Sequence, residues 1–444
     1  MRKSVFSKVV LFTLVICMVG SVLTGCVQKA KETPVTLPPS SSATDDVTSK
    51  KPESKSKDPL GEIPASLKDS TVKFLLGYDP SKNPEQLIMN DFADKSGIKI
   101  EVISVAGKEY DTKLAGMIAS GSSPDVFEMK SFPTVSYELA QPLETGKVDV
   151  NDPIWDKETL KYTTINGKAY GANISGSIFS NVDVFFYNNE LFKENGIKTP
   201  KEYLDEGNWT WDTLRKAASE IDALGEEYIG FTDGSQAASM LSAGIDFIIF
   251  DGKKFINNIG DPRLTEFFKI QAALKKDGLM VEWKLKEFVA GTVGMMCYTQ
   301  FGLKGAGQLK PMNDFKFVPF PSLKAGEKAY VPYKLRSFGI VKGSSNPEGA
   351  GHFLRYYLDP INWNLETMFV NQECRDYYYD INSTEHRFPM RSQGVLAMTD
   401  GGVFTEIYGK LCSTDPAQIT TVLQENKNII DSAVKKANET FFGK

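Results

Sequence analysis

Residues 71–128 read TVKFLLGYDPSKNPEQLIMNDFADKSGIKIEVISVAGKEYDTKLAGMIASGSSPDVFE. They open with an apolar run stopped by Gly77, the pattern of a short buried strand. From Pro84 onward Leu87, Ile88 and Phe92 recur at helical spacing, with proline in the first turn and Gly97 as the stop. Residues 98–105 read as a second strand, 109–120 as a helix carrying Leu114, Met117 and Ile118 on one side, and 125–128 as a third strand. Strand, helix, strand, helix, strand is the order of a parallel α/β sheet with right-handed crossovers. Ligands on such sheets sit beyond the carboxyl ends of the strands. Here those ends are Gly77-Tyr78-Asp79 and Met129-Lys130-Ser131-Phe132.

Toward the N-terminus, Arg2, Lys3 and Lys8 precede an apolar run over residues 9–19 and then Leu23-Thr24-Gly25-Cys26. A basic start, a short apolar core and small residues before a cut describe a secretory signal. The four-residue ending resembles the bacterial lipoprotein box, which implies a signal peptide over 1–25, cleavage before Cys26, and acylation (palmitate) of its thiol. Residues 26–69 are rich in Lys, Ser, Thr, Pro and acidic residues, too polar to bury a core, and read as a flexible tether.

Toward the C-terminus, a chain of 444 residues is too long for one typical core. Residues 170–192, YGANISGSIFSNVDVFFYNNELF, run from small polar residues into the strand Val184-Phe185-Phe186-Tyr187 and a helix start. Small residues permit close backbone approach, so 177–183 reads as a crossing between two lobes, with Asn181 and Asp183 able to face a cleft. Thr210 reads as the cap of a helix that buries Trp211 and Leu214, while Trp209 stays open between core and ligand contact. Residues 264–276 and 350–357 read as further helices, and Val318-Pro319-Phe320-Pro321 as an extended return between lobes.

Several of these segments resemble the family 1 extracellular solute-binding proteins of ABC importers, the maltose-binding-protein-like group. The similarity lies in Ala119-Ser120-Gly121-Ser122-Ser123-Pro124-Asp125-Val126, Asn166-Gly167-Lys168-Ala169-Tyr170-Gly171, Tyr187-Asn188-Asn189-Glu190-Leu191-Phe192 and Thr210-Trp211-Asp212-Thr213-Leu214. It continues in FVAGTVGMMCYTQF at 288–301 and in Ser337-Phe338-Gly339-Ile340-Val341-Lys342-Gly343-Ser344-Ser345-Asn346-Pro347-Glu348. The resemblance implies a two-lobed, type II periplasmic-binding-protein-like α/β fold, each lobe a parallel-dominated sheet flanked by helices, with three hinge crossings near 180, 317 and 359. Lobe one would hold 70–180 and 318–357, and lobe two 181–316 and 361–444. It also implies a monomer on the extracytoplasmic face of the cell membrane, held by lipid on Cys26, that captures a carbohydrate and hands it to the transmembrane subunits of an ABC permease.

A sugar site needs aromatic platforms for C–H faces and planar polar groups for hydroxyls. Candidates from lobe one are Asp79, Lys130, Ser131 and Arg336; from lobe two or the crossing, Asn181, Asp183, Asp233, Gln236, Tyr298 and Phe301. Phe301 stands where family members often place a tryptophan, which leaves a smaller platform without an indole donor. Structural alternatives stay open: Asp79 before Pro80 also suits a turn, Phe301 a core, Arg336 a surface ion pair, and Asp233-Gly234 a turn.

The net charge of −5 gives no basis for nucleic-acid binding. Cys297, Cys374 and Cys412 lack metal or disulfide spacing, and two histidines leave little for a metal site or a triad. No metal or cofactor is expected. Tyr377-Tyr378-Tyr379 reads as a strand with alternating faces, structural rather than iron-binding. Asp125 and Glu128, three apart on a strand, face opposite ways and so do not suit glycoside hydrolysis. A secreted polysaccharide-acting enzyme and a ligand-presenting envelope sensor are the rival readings; no catalytic residue is assigned.

Overall fold

The opening stretch forms the expected unit: β1 (Thr71–Leu76), α1 (Pro84–Ser96), β2 (Lys99–Ser104), α2 (Tyr110–Ala119) and β3 (Val126–Met129). This is seen in a computed structural model that describes residues 58–443 except 82–83, 107–108, 130–136, 175, 178, 180, 235–236, 306, 313, 335, 364–367 and 384–386. β1 pairs in parallel with β2 and β3. The two-residue strand period sends Val72, Phe74 and Leu76 to one core with Phe92 of α1, and Leu75 to another with Tyr110 and Leu114 of α2. β4 (Ala140–Gln141), α3 (Lys157–Thr163) and the hairpin of β5 (Thr164–Ile165) and β6 (Lys168–Ala169) follow.

The chain then enters a second sheet through β7 (Asn181–Asn188). Next come α4 (Trp211–Asp222), β8 (Ile229–Asp233), the hairpin of β9 (Ile248–Phe250) and β10 (Phe255–Asn257), α5 (Pro262–Lys276), β11 (Met280–Glu282) and β12 (Val293–Thr299). β13 (Phe315–Val318) and β14 (Val331–Lys334) both pair with β7, so 318–334, expected in lobe one, belongs to the second sheet. Only β15 (Ser337–Val341) returns to the first, which places the second crossing at 335–336 rather than near 317. The prolines at 319 and 321 shape a loop inside lobe two instead: Trp209 donates its indole N–H to the Pro319 carbonyl at 2.9 Å. That settles Trp209 as structural, and Trp211 is fully buried behind the reciprocal Thr210–Thr213 cap.

α6 (Pro347–Leu358) packs on the first sheet, α7 (Gln372–Ser383) and β16 (Arg387–Pro389) on the second. Tyr377, Tyr378 and Tyr379 therefore lie on a helix, not a strand. The buried residues Cys374, Tyr378 and Ile381 recur at helical spacing, and the Tyr378 hydroxyl donates to the Ser177 carbonyl at 2.8 Å.

The sheet orders are β2-β1-β3-β15-β4 and β11-β8-β12-β7-β14-β16, with β13 also on β7. The first three strands of each are parallel; in the second sheet β7 runs antiparallel to β12, β13 and β14 and is the one strand reversed against the other six, so the sheet is parallel-dominated, as expected. Chain direction explains this. A strand entered from a crossing must run away from the hinge, whereas β8, β11 and β12 run toward it.

The three crossings meet in one aromatic knot. Phe179 of the first stacks on Tyr357 of α6 (ring centroids 4.9 Å) and packs against Phe338 of β15 (5.2 Å) and Trp363 of the third crossing (5.4 Å). Contacts of this kind contribute about 0.5–1.5 kcal/mol each beyond burial.

A second link joins the lobes away from the knot. Asp156 caps α3, its Oδ1 accepting from Thr159 N (2.8 Å) and from the Tyr333 hydroxyl of β14 (3.1 Å), while Oδ2 accepts from Arg387 of β16 (3.1 Å). Asp156 and Tyr333 are buried, so removing the carboxylate leaves donors without an acceptor. Asp156→Ala should therefore cost about 3 kcal/mol of stability, read from the urea midpoint, and an unchanged midpoint would show that the link holds nothing.

Candidate functional site

Strand polarity brings the carboxyl ends of both sheets to the hinge edge, where they face each other as a cleft. On the lobe-one side Tyr78, just after β1, donates its hydroxyl to Glu85 Oε1 at 3.2 Å in the first turn of α1. Burial, then Glu85, pushes that phenol well above its ordinary pKa. Glu128 near the end of β3 accepts from Arg336 Nε at 2.7 Å. The Arg336 guanidinium lies 5.1 Å from the Phe179 ring centroid and 5.6 Å from that of Phe338. Burial alone would weaken its charge; Glu128, with smaller help from Tyr78 and Tyr357, opposes that and holds its pKa above the usual value.

On the lobe-two side the strand ends carry Asp233 closing β8 with Gly234 beyond it, Trp283 after β11, Tyr298 and Thr299 closing β12 with Gln300 and Phe301 beyond, and Lys334 at the end of β14. Trp283 and Phe301 are the only exposed Trp and Phe side chains among the described residues, at 40% and 45%. Trp283 packs against Tyr298 with ring centroids 5.0 Å apart. Its seat is Gly234, where a Cβ would meet the indole at 2.0 Å, so that only glycine lets the ring lie flat on the backbone. Phe301 sits in a short turn whose Thr299 hydroxyl accepts from the Phe301 N–H (3.4 Å). Asp233, Trp283, Lys334, Met390 and Gln393 are among the walls of a cavity of about 560 Å³.

The residues singled out in the sequence divide accordingly. Tyr298 packs on Trp283, and Phe301 stands exposed three residues further along the chain. Asp183 is fully buried, 3.7 Å from Nζ of Lys334, which lines the cavity. Arg336 is the hinge cation rather than a surface ion pair, and Asp79 accepts from the N–H and hydroxyl of Ser81 (both 2.9 Å), shaping a turn. Asn181 opens β7 opposite Lys334. Lys130, Ser131, Gln236 and Cys26 lie outside the described residues. Asp125 and Glu128 are committed separately, Asp125 to Ser344 and the N–H groups of Lys73 and Asn346. Trp283 was missed, although a lone Trp directly after a strand, matched by a glycine after another, was a signal to weigh.

The model of the bacterial extracellular solute-binding protein family matches residues 79–362. The chain belongs to this family. It is 26% identical over 228 residues to a binding protein of Brucella abortus, an alignment covering 47% of this chain and 52% of that one. The chain thus spans about half the length of the curated relatives it matches. Among solved structures, the cyclic α-maltosyl-1,6-maltose binding protein of Arthrobacter globiformis superposes with TM-score 0.62 at 18% identity, over 82% of this chain and 99% of that one. The galacto-N-biose/lacto-N-biose I-binding protein of Bifidobacterium longum gives 0.60 at 15% (83% and 98%). UgpB of Mycobacterium tuberculosis, in complex with glycerophosphocholine, gives 0.62 at 15% (82% and 98%). At such identities the likeness establishes the fold, the two-lobed type II architecture of this solute-binding family.

Lys304, one turn beyond Phe301, is 7% exposed with its ammonium 4.6 Å from the Phe301 ring centroid. Burial lowers its pKa to about 8, Glu85 opposing the shift and Arg336 adding to it. A lysine depressed on folding binds fewer protons in the native than in the unfolded state between pH 8 and its ordinary value of 10.5. Stability then rises with pH across that window, and below it the charged amine costs the fold on the order of 3 kcal/mol. Lys304→Met should be more stable than wild type at pH 7, with an advantage that shrinks from pH 8 upward; a pH-independent difference in urea midpoint would contradict this.

Proposed function

We propose that this solute-binding protein is the lipid-anchored capture component of an ABC importer and that its ligand is a carbohydrate, specifically an oligosaccharide. The observation that carries this reading is the set of aromatic side chains at the strand ends: Trp283 on Tyr298, with Phe301 open to solvent. The Trp283–Tyr298 pair and the exposed Phe301 supply stacking faces for more than one ring, and the neighbouring polar groups supply partners for hydroxyls. By their names, the Arthrobacter and Bifidobacterium proteins bind oligosaccharides, which supports the same class here.

The lipoprotein-like Leu-Thr-Gly-Cys ending supports anchoring through Cys26, with 26–69 as tether. Lobe one is proposed as 70–180 with 336–357, and lobe two as 181–334 with 361–444. Lys130, Ser131, Asn181 and Gln236 are proposed to add polar contacts, from their places in the chain after β3, at the start of β7 and after β8. Binding in the open cleft, lobe closure and delivery to the permease require no covalent step, and ligand must favour the closed state for closure to report occupancy.

A thermal-shift screen of the protein against a glycan panel, with a glycerophosphodiester arm, tests the ligand class. An oligosaccharide should raise the melting temperature. A shift with the phosphodiester alone, or with nothing, would overturn the carbohydrate reading. Trp283→Ala should weaken binding roughly 30-fold, about 2 kcal/mol, with only a small fall in the ligand-free melting temperature, because the ring is 40% exposed and packs on Tyr298 alone among the rings.

A further inference from the structure

Polar groups at the hinge end of the cleft are unevenly satisfied. Glu128, 6% exposed, gives Oε1 to Arg336, but its Oε2 has no hydrogen-bond partner among the described residues. The same holds for the hydroxyl of Tyr357, a fully buried residue. Neighbouring Tyr110 shows the contrast: its hydroxyl donates to the Leu75 carbonyl (3.1 Å) and accepts from Glu128 N–H (3.0 Å). A buried carboxylate oxygen and a buried phenol left unmade are costly, and such atoms call for an explanation.

Arg336 joins the two: its Nε donates to Glu128 Oε1 at 2.7 Å, and its guanidinium lies over Phe179, whose ring stacks on Tyr357 with centroids 4.9 Å apart. Burial, then Tyr78 and Glu85, raise the Tyr357 phenol far above its usual pKa, with Arg336 opposing and Glu128 adding. The Tyr357 ring stacks on Phe179 and touches Trp363 (5.7 Å), while Arg336 covers Phe179. A group bound between these atoms would therefore rest on residues from all three crossings.

The chemistry of that group follows from its surroundings. Glu128 Oε2 can only accept, whereas a phenol can donate. An anion would meet Glu85 and Glu128, and a cation would meet Arg336 and Lys304. A neutral hydroxyl, which donates once and accepts once, answers both. We propose that Glu128 and Tyr357 form the specificity pair of the cleft, holding one ligand hydroxyl at the hinge between Glu128 Oε2 and the Tyr357 hydroxyl. Both atoms are shielded from solvent, and the Tyr357 ring is flanked by Phe179 of the first crossing and Trp363 of the third, so recognition there is coupled to the hinge itself.

This inference rests on the carbohydrate reading, and the test separates the two. With the full chain and a sugar that binds it, affinities are measured for wild type, Tyr357→Phe and Glu128→Gln against the parent sugar and its monodeoxy series. Tyr357→Phe should keep or raise the ligand-free Tm, because it removes only an unsatisfied hydroxyl, and should lose affinity on the order of ten-fold. One deoxy position should cost wild type a similar factor and cost Tyr357→Phe nothing further. Glu128→Gln should be insensitive at that same position. Wild-type affinity in Tyr357→Phe, or losses that multiply independently at every position, would overturn the pair while leaving carbohydrate binding intact. If wild type binds no sugar, the carbohydrate reading fails and takes the pair with it. Should Tyr357→Phe not fold, a structure of wild type with its sugar decides: a ligand hydroxyl within hydrogen-bond distance of both atoms supports the pair, and a water there overturns it.

Discussion

Arg336 lies in the second crossing with its guanidinium over Phe179 and Phe338 and its Nε on Glu128. Burying a guanidinium is expensive, and a carboxylate with two ring faces goes some way to offset the cost without making the pair a large source of stability. Its effect is geometric. Phe179, Phe338 and the Tyr357–Trp363 pair come from three separate segments, and the cation lies over Phe179 and Phe338 where two of those segments meet. A knot of that kind lets three thin crossings behave as one joint.

The joint in turn dictates strand direction. Because β7 and β15 both leave the hinge, they run against their parallel neighbours, and the carboxyl ends of β1, β3, β8, β11 and β12 all arrive at the hinge edge. The aromatic side chains at the ends of β11 and β12 and the polar groups of the hinge then lie toward the same edge of the two sheets. Trp283, Tyr298 and Phe301 offer area; Tyr78, Glu85, Glu128 and Arg336 offer hydrogen bonds and charge. Area gives affinity with modest selectivity, whereas buried polar atoms discriminate strongly, since a wrong ligand leaves them unpaired.

Much of this architecture was legible in the residues. The strand–helix period of 71–128 and the Thr210 cap are local signals, and local signals survive folding. The second crossing was not legible. Pro319 and Pro321 mark an extended segment equally well inside a lobe or between lobes, and nothing at 335–336 distinguishes a crossing from a strand end. The three tyrosines were misread as strand because aromatic residues favour strands, although the spacing of Cys374, Tyr378 and Ile381 is helical. Charged candidates fared unevenly for a common reason: a sequence shows that Asp79, Asp183 or Arg336 carries charge but not which neighbour uses it. Trp283 owes its exposure to a glycine 49 positions earlier, a purely tertiary fact.

The central claim, a ligand-driven closure of two lobes about one joint, is tested most directly by a distance across the cleft. Cysteines 297, 374 and 412 are buried, so in a chain with Cys17 and Cys26 replaced by serine, spin labels on cysteines introduced at the exposed Leu87 of α1 and Lys286 beyond β11 report lobe separation selectively. With the sugar that stabilises the protein at saturation, the account predicts a shift to a single, shorter distance. A distribution unchanged by ligand that is demonstrably bound would contradict it.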